Sequence, residues 1–284
     1  MLLIHLLACV VTHQPVILEA ALDAGPSPFR EGPLVHEVVT SARWSVPRKG
    51  LIDLDDPLAV DLPTDDAPIV LPVHLFHHPD GRTFVVDTGV SDARVRGEAD
   101  AARGLVGSYI KDIEAEIGLG SLLEGRQVAA VVLTHTHLDH VLGLIDVPMD
   151  VPVYVGPGET SNRQGDHALL KGFYRRTFAG RDLRELPFDD LLGELPATDL
   201  AGDGSLWLVH SPGHTPGSQV VIAATKDGPV VVLGDTSHTR WGWDHGVPPG
   251  TFSNDPEQGK ISFSAMKALV EAHPGTDVFV GHEP

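Results

Sequence analysis

Short apolar runs separated by polar turns make up most of the hydrophobic pattern of this chain. Residues 128–133 are apolar and rich in β-branched side chains, which predicts a buried strand. Comparable runs predict strands at residues 36–39, 69–76, 83–86, 151–155, 206–209, 219–223, 230–233 and 278–280. Helical spacing of apolar residues predicts helices at 94–123 and 261–272, and another is expected to begin at Asp139. Strands and helices that alternate in this way indicate an α/β fold.

The polar stretches between these elements predict turns and loops. Residues 77–81 read as a hairpin turn, and His77 and His78 are expected to be solvated there. Residues 23–35 are rich in Pro and Gly and predict a linker, whereas 45–68 predict an irregular surface excursion. Residues 157–195 form a long polar segment with aromatic residues, which is typical of a lid or binding element. A helix that packs Phe173 and Phe178 on the core is the alternative for this segment.

Length and composition fit an apolar N-terminal segment with a linker over residues 1–34, followed by one domain over 35–284. The chain has 284 residues, a mass of 30.3 kDa and 42% hydrophobic residues, so it can bury a substantial core. Its formal net charge of −19 repels phosphate backbones, which argues against nucleic acid as a partner. Cys9 is the single cysteine, so internal disulfides and cysteine-based zinc sites are excluded.

The N-terminal segment leaves localisation open. Residues 1–11 are apolar but too short to span a membrane, and no Lys or Arg precedes Arg30, as a secretory signal would require. We therefore favour a cytoplasmic protein. Residues 6–9 resemble a bacterial lipobox, so an exported lipoprotein anchored through Cys9 is the alternative. Membrane contact is expected only with such an anchor, or if Trp241 and Trp243 form a contact surface with the N-terminal segment.

Four metal-capable side chains follow the strand predicted at residues 128–133: His135, His137, Asp139 and His140. Residues two apart in extended backbone point the same way, so His135 and His137 are expected to face one point. Asp139 and His140 lie where the chain turns. Imidazole and carboxylate suit zinc and similar divalent metals, so this cluster predicts a metal or catalytic site rather than incidental polar residues.

This H-x-H-x-D-H spacing resembles the signature of the metallo-β-lactamase-fold hydrolases. Four further segments resemble family motifs in the family order: D-T-G at 87–89, P-G-H-T-P-G at 212–217, G-D at 234–235 and G-H at 281–282. The resemblance covers about residues 69–284. It implies a four-layer αβ/βα sandwich whose active site lies at one edge of its two sheets.

Seven candidate ligands are too many for one zinc, which needs three protein ligands and a water, so we expect two Zn²⁺ ions. Iron, manganese and cobalt accept the same donors. The resemblance implies that a first ion is held by His135, His137 and His214, that a second is held by Asp139, His140 and His282, and that Asp235 bridges both. It also implies that Asp87 supports a ligand histidine, although an aspartate at this position could instead cap a helix.

Such a centre is expected to be an ester hydrolase in which a bridging hydroxide attacks the carbonyl. Asp139 is expected to pass a proton to the leaving group. The bridging Asp235 argues against β-lactam hydrolysis. The quorum-sensing lactonases are the most similar branch, which implies a small lactone substrate such as an acyl-homoserine lactone. Where those enzymes usually carry a tyrosine that stabilises the oxyanion, this chain has His238, either a catalytic substitute or an ordinary polar loop residue.

Three alternatives remain within the family. Glyoxalase II-like thioester hydrolysis is weakened because the chain ends two residues after His282, without the domain that binds glutathione in that branch. A one-iron sulfur dioxygenase would use part of the same motif, and a non-catalytic metal-binding relative would keep the ligands without turnover. Acyl-chain preference is expected to depend on the loops at 157–195 and 238–252, with Tyr174, Phe178, Trp241 and Trp243 as candidate pocket residues. The oligomeric state is not legible from the sequence.

Overall fold

The computed structural model of the protein describes residues 16–17, 26–102, 104–162 and 170–283. Within these ranges the strands are β1 (Val16–Ile17), β2 (Val35–Pro47), β3 (Asp66–His77), β4 (Arg82–Val86), β5 (Glu114–Ala115), β6 (Gln127–Val132), β7 (Val153–Val155), β8 (Leu183–Glu185), β9 (Asp190–Leu192), β10 (Leu195–Asp199), β11 (Leu206–His210), β12 (Gln219–Thr225), β13 (Gly228–Val232) and β14 (Asp277–Phe279). The α-helices there are α1 (Arg48–Leu51), α2 (Asp92–Val95), α3 (Leu105–Tyr109), α4 (Leu119–Leu123), α5 (Leu138–Val141), α6 (Lys171–Phe178), α7 (Arg240–His245) and α8 (Pro256–Glu271). Short 3₁₀ helices lie at Pro57–Ala59, Leu144–Asp146, Glu159–Ser161 and Gly234–Thr236.

The strands form two mixed sheets. One has the order β1-β8-β7-β6-β4-β3-β2-β5, and the other has the order β14-β13-β12-β11-β10-β9. Because side chains alternate between the faces of a strand, each sheet contributes to two apolar layers. In β12, Val221 and Ala223 pack between the sheets, whereas Val220 and Ile222 pack beneath α7 and α8 with Trp243. A third apolar layer lies between the first sheet and helices α3 to α6. The predicted four-layer αβ/βα sandwich is confirmed.

Most predicted strands are confirmed, but the helix predicted over residues 94–123 is wrong. That stretch holds three short helices, α2, α3 and α4, and the edge strand β5, which pairs with β2. Gly97 and Gly104 interrupt it with positive φ angles of 69° and 63°, which only glycine adopts readily. Ile110 and Ile113 are nevertheless buried in the core, so the apolar spacing reflected burial but not one continuous helix.

The two predicted excursions are more ordered than their composition indicates. Within 45–68, β2 continues to Pro47 and β3 begins at Asp66, and Leu51 is buried in the turn of helix that follows β2. Within 157–195, α6 buries Phe173 and Phe178 against the core, as the helical alternative for this segment predicts, and β8 pairs in parallel with β7. The domain start at residue 35 stays a prediction, although Leu34 is already fully buried between the sheets.

The predicted lipobox around Cys9 lies outside the described residues. None of the helices that the structure describes combines the length and the apolar character that crossing a bilayer requires.

The strand ends that carry the candidate ligands meet at one edge of the sandwich. β6 is parallel to both β4 and β7 in the first sheet, so the residues after these three strands emerge together. In the second sheet β13 is parallel to β14, and β11 runs the same way because both are antiparallel to β12. Backbone N–H groups of Gln219 and Val70 donate to the carbonyls of Thr134 and His282, at 2.8 and 3.0 Å, and join the sheets at this edge.

Candidate metal centre

The segment after β6 presents its polar side chains through a change from extended to helical backbone. His137 is still extended, with φ −64° and ψ 158°, and α5 begins at the next residue. His135 and His137 therefore face the same side, while the turn of helix redirects Asp139 and His140. The sequence had indicated this division between a strand end and a following turn.

The first group of side chains is His135, His137, His214 and Asp235, whose candidate ligand atoms lie within 4.8 Å of one another. His214 Nε2 is 2.7 Å from His137 Nδ1 and 3.1 Å from Asp235 Oδ2. His135 Nε2 lies 3.6 Å from the same carboxylate oxygen. Nitrogen atoms from two separate loops thus converge on one point beside Asp235 Oδ2.

The second group is Asp139, His140 and His282, and its ligand atoms also lie within 4.8 Å of one another. His282 Nε2 is 3.4 Å from Asp139 Oδ2 and 3.3 Å from Asp235 Oδ1. His140 Nε2 is 3.4 Å from Asp235 Oδ1. The two carboxylate oxygens of Asp235 therefore face different groups, Oδ2 the first and Oδ1 the second, which is the arrangement that a bridging ligand needs. Gly281 allows this approach, because a Cβ there would lie 2.6 Å from Asp235 Oδ1.

Acceptors outside the cluster orient three of the histidine rings. Asp87 Oδ2 lies 2.8 Å from His140 Nδ1, and backbone carbonyls of Val70 and Leu51 lie 3.0 and 2.9 Å from Nδ1 of His282 and His238. A carbonyl oxygen only accepts, so Nδ1 carries the proton in the last two rings and Nε2 faces the cluster. The structure places His238 inside the site, almost fully buried and with Nε2 3.1 Å from Asp235 Oδ2, not in an exposed loop.

Burial and neighbouring charges shift the pKa values of these groups in opposite directions. Burial lowers the pKa of His135 well below its usual value and lowers that of His214. Burial opposes the charged form of His140, but Asp87 and Asp235 outweigh it and raise the pKa of that ring well above its usual value. In the same way, burial is outweighed by Asp235 and Asp139 at His282, whose pKa is raised. The carboxylates that hold protons on these rings equally attract a divalent cation.

The residues of this cluster fit a bound metal. Nε2 of His135 and of His140 and Oδ1 of Asp235 are buried and have no hydrogen-bond partner among the described residues. Leaving such a group unpaired costs about 1–3 kcal/mol, so three at one point indicate a missing partner. Five imidazoles and two carboxylates are donors that zinc and neighbouring divalent ions accept.

A cavity of about 580 Å³ opens directly onto the cluster. Its apolar walls come from Trp44, Val46, Leu51, Ile69, Tyr109, Leu138, Leu170 and Phe252, and Thr251, Ser253 and Asn254 add polar atoms. Neither Lys nor Arg lines it in the described part of the chain.

The four aromatic residues predicted to line a pocket do not line this cavity. Tyr174 and Phe178 lie on the buried face of α6, packed in the core with Phe173. Trp243 is buried beneath α8 against Phe263, at a ring-centroid distance of 5.6 Å, and Trp241 stacks on His245 at 4.1 Å. Amphipathic helices bury Tyr174, Phe178 and Trp243 in the core, whereas Trp241 stays half-buried, so for three of the four rings the pattern that suggested a binding loop reflects packing.

Two polar residues at the site escaped the sequence analysis. Glu159 is buried beside the H-x-H segment and the P-G-H-T-P-G turn. Its position four residues after the end of β7, the strand parallel to β6, was the available signal. Asn254 lines the cavity, and its buried Nδ2 has no hydrogen-bond partner in the part of the chain that the structure describes. Its backbone N–H donates to the carbonyl of His214 at 2.9 Å.

Comparisons with known proteins agree with this geometry. The sequence model of the metallo-beta-lactamase superfamily matches residues 72–282. Gamma-lactamase MBL2 of Gibberella moniliformis is 33% identical over 192 residues, which are 61% of this chain and 80% of that protein. N-acyl homoserine lactonase AttM of Azorhizobium caulinodans is 25% identical over 234 residues, covering 77% and 84% of the two chains. The crystal structure of a quorum-quenching N-acyl homoserine lactone lactonase has the same fold, with a TM-score of 0.64 and 18% identity over 91% of this chain and 93% of that one.

Proposed function

The chain belongs to the metallo-beta-lactamase superfamily, and from that premise we propose that it is a dinuclear metal-dependent hydrolase of lactones that carry an apolar acyl chain, such as N-acyl homoserine lactones. The observation that carries the proposal is the cavity that opens onto the two groups of candidate ligands. Its volume of about 580 Å³ is within the usual range of small-molecule sites. Apolar walls without Lys or Arg among the described residues suit a neutral ester with a hydrocarbon tail.

In this proposal His135, His137 and His214 hold one ion, Asp139, His140 and His282 hold the other, and Asp235 serves both. An ion such as zinc, when bound there, would lower the pKa of a water to near neutrality and would also polarise an ester carbonyl. The protein's own contribution is to fix seven donors on loops anchored by the sheets. It also supplies an apolar wall that excludes bulk water and strengthens the electrostatic interactions inside.

Two residues are assigned to proton handling and charge. The Asp139 carboxylate lines the cavity and is more accessible than that of Asp235, so it is the group we assign to protonate the leaving alkoxide. His238 keeps its Nδ1 proton on the Leu51 carbonyl and presents Nε2 to the site. In a neutral ring this Nε2 only accepts, so a hydrogen bond donated to the reacting oxygen, as by the tyrosine of related lactonases, requires a proton on both nitrogens, and we assign His238 that role in its doubly protonated form.

A γ-lactam is the second candidate substrate, because the relative from Gibberella moniliformis carries that activity in its name. Lactone and lactam hydrolysis differ in the leaving group, since an amine must be protonated before it departs. A glutathione thioester suits the cavity less well, because the two carboxylates of glutathione would find neither Lys nor Arg on the described lining.

The test is a substrate panel on protein whose metal content has been measured. An N-acyl homoserine lactone, the lactam of the same skeleton, an aryl ester, a thioester, a phosphodiester and a cephalosporin are compared at equal concentration. We expect two metal equivalents per chain and the largest kcat/KM on the lactone, with activity removed by chelation and restored by zinc. A larger kcat/KM on the lactam or thioester, or two bound ions without turnover of any substrate, would overturn the lactonase assignment.

A further inference from the structure

Glu159 is a buried carboxylate that touches neither group of candidate ligands. It begins the 3₁₀ helix after β7, and only 1% of its surface is exposed. Four donors point at it. The backbone N–H and the hydroxyl of Thr136 donate to Oε1 at 2.7 and 2.8 Å, and the hydroxyl of Thr215 and the backbone N–H of Gly217 donate to Oε2 at 2.8 and 2.9 Å.

These four donors belong to the two loops that carry the first group of ligands. Thr136 separates His135 from His137, and Thr215 follows His214 directly. Each carboxylate oxygen therefore binds one loop, so the side chain joins the two loops across the boundary between the sheets. No residue next to Asp139, His140 or His282 donates to Glu159 among the described contacts.

Chemistry and packing both select a carboxylate at this position. Four donors match the four lone-pair directions of a carboxylate, whereas the NH₂ of an amide would face a backbone N–H in either orientation, that of Thr136 or that of Gly217. The backbones meet closely here, because a Cβ on Gly156 would lie 2.0 Å from the carbonyl oxygen of Gly217. A Cβ on Gly217 would in turn lie 2.8 Å from Cβ of Glu159. The space is thus fitted to this side chain.

We propose that Glu159 is a positioning residue that sets the first metal site by fixing the H-x-H segment and the P-G-H-T-P-G turn at their working separation. The inference rests on the proposed dinuclear function. It adds that the two sites have separate anchors, so a change at Glu159 weakens the first site and spares the second. Groups that orient ligands from outside a metal's coordination sphere contribute about 10- to 100-fold in affinity.

The test compares Glu159→Gln in two backgrounds, each of which keeps one site. With His282→Ala only the first site remains, and with His135→Ala only the second remains. Cobalt(II) is titrated into the metal-free proteins, with binding followed by visible absorption and affinities set by a competing chelator. We expect Glu159→Gln to lower affinity by about 10- to 100-fold in the first background. In the second background the affinity and the cobalt spectrum stay unchanged.

Glu185→Gln is the matched control. Glu185 accepts from the backbone N–H of Gly158 at 2.8 Å, next to Glu159, but contacts neither ligand loop through that bond. We expect it to leave both cobalt affinities unchanged. Thr215→Val, which removes one of the four hydrogen bonds, should weaken the first site by a smaller factor. Thermal unfolding of the metal-free variants checks that each one folds.

An equal loss at both sites, a loss confined to the second site, no loss at all, or the same loss in Glu185→Gln would overturn the proposal. Metal affinity is measured without substrate. A wild-type chain that binds two ions and cleaves no lactone therefore refutes the proposed function and leaves this test intact.

Discussion

Replacement of Asp87 by Asn should weaken metal binding at the second site, because it should move the proton of the His140 ring from Nδ1 to Nε2. Asp87 follows β4 with a positive φ of 56°, a conformation that Asn also tolerates, so the backbone can stay in place. Its Oδ1 accepts from the backbone N–H of Thr134 at 2.8 Å. Its Oδ2 accepts from the Thr134 hydroxyl and lies 2.8 Å from His140 Nδ1.

The geometry decides the orientation of the new amide. The Thr134 backbone N–H cannot reorient, so the Asn oxygen must take the place of Oδ1 and the NH₂ group the place of Oδ2. That NH₂ faces His140 Nδ1, and two donors cannot share a hydrogen bond. The imidazole must then accept at Nδ1 and carry its proton on Nε2, the atom that lies 3.4 Å from Asp235 Oδ1. A protonated nitrogen cannot bind a metal ion.

The expected loss is about 10- to 100-fold in affinity for one of the two ions. Since tenfold corresponds to about 1.4 kcal/mol, this is about 1.4–2.8 kcal/mol. Metal retained after dialysis against graded chelator gives the measurement. The variant should keep one ion at chelator concentrations where the wild type keeps two, and excess zinc should restore lactone cleavage.

Asp199→Asn is the control for this prediction. Asp199 is equally buried and accepts from the backbone N–H groups of Gly202 and Gly204, away from the cluster. It should lower stability without changing metal content. If Asp87→Asn retains both ions with wild-type affinity, Asp87 does not fix the His140 tautomer and the reasoning is wrong.

Three further predictions concern catalysis, folding and substrate binding. Asp139→Ala should reduce kcat on the lactone by at least about 10²-fold and Asp235→Ala should also reduce it greatly, and wild-type rates in both metal-loaded variants would reject the mechanism. Burial holds the pKa of His74 at about 3, so the folded state binds fewer protons than the unfolded state between about pH 6.5 and 3. The stability that the neutral His74 contributes is fully present above pH 6.5 and falls by up to about 1.4 kcal/mol per pH unit as the pH drops through that window. His74→Asn should therefore reduce the slope of the free energy of unfolding in urea against pH between these values. An unchanged slope would contradict this. Asn254→Ala should raise KM for lactones with an amide next to the ring more than for simple lactones, and an equal change on both would show that its amide does not contact the substrate.

His135, His137, Asp139 and His140 could be found from the sequence because their positions depend on short-range rules, whereas His214, Asp235 and His282 were expected from the resemblance to the family motifs. A buried strand must be apolar, its end must lie at an edge of the sheet, and parallel neighbours bring their ends together. His135, His214 and Asp235 each follow such a strand within a few residues. The family resemblance implied the remaining candidate ligands together with the fold class, and neither inference needed the order of the strands in the sheets.

Most walls of the cavity above the cluster were not predictable in the same way, because they come from distant segments, although Thr251 and Phe252 lie in the loop at 238–252 that was expected to shape the pocket. Trp44 lies in β2, Tyr109 ends α3, and Phe252 lies between α7 and α8. No local sequence pattern identifies these residues as pocket residues, since Tyr109 is 61% exposed and Trp44 lies in a strand with the usual alternation of side chains. The aromatic residues of α6 had a stronger local pattern, but that pattern comes from a helix face buried in the core. Pocket walls depend on tertiary contacts that no short window of sequence contains.

The strand order also explains why two carboxylates outside the cluster contact the segment after β6, one from each flank. β6 lies between β4 and β7 in the sheet, and an acidic residue follows each neighbour, Asp87 directly after β4 and Glu159 four residues after the end of β7. In the extended segment after β6, Thr134 and Thr136 alternate with His135 and His137, and the Thr134 hydroxyl lies 3.3 Å from His135 Nδ1 and 3.4 Å from His140 Nδ1. Asp87 binds the backbone and hydroxyl of Thr134, and Glu159 binds those of Thr136. Each threonine thus fixes the segment from one flank. Asp87 in addition contacts His140 Nδ1 directly, whereas Glu159 in addition contacts the P-G-H-T-P-G turn through Thr215 and Gly217, so a change at each acid should act on a different part of the cluster as well as on the segment that they share.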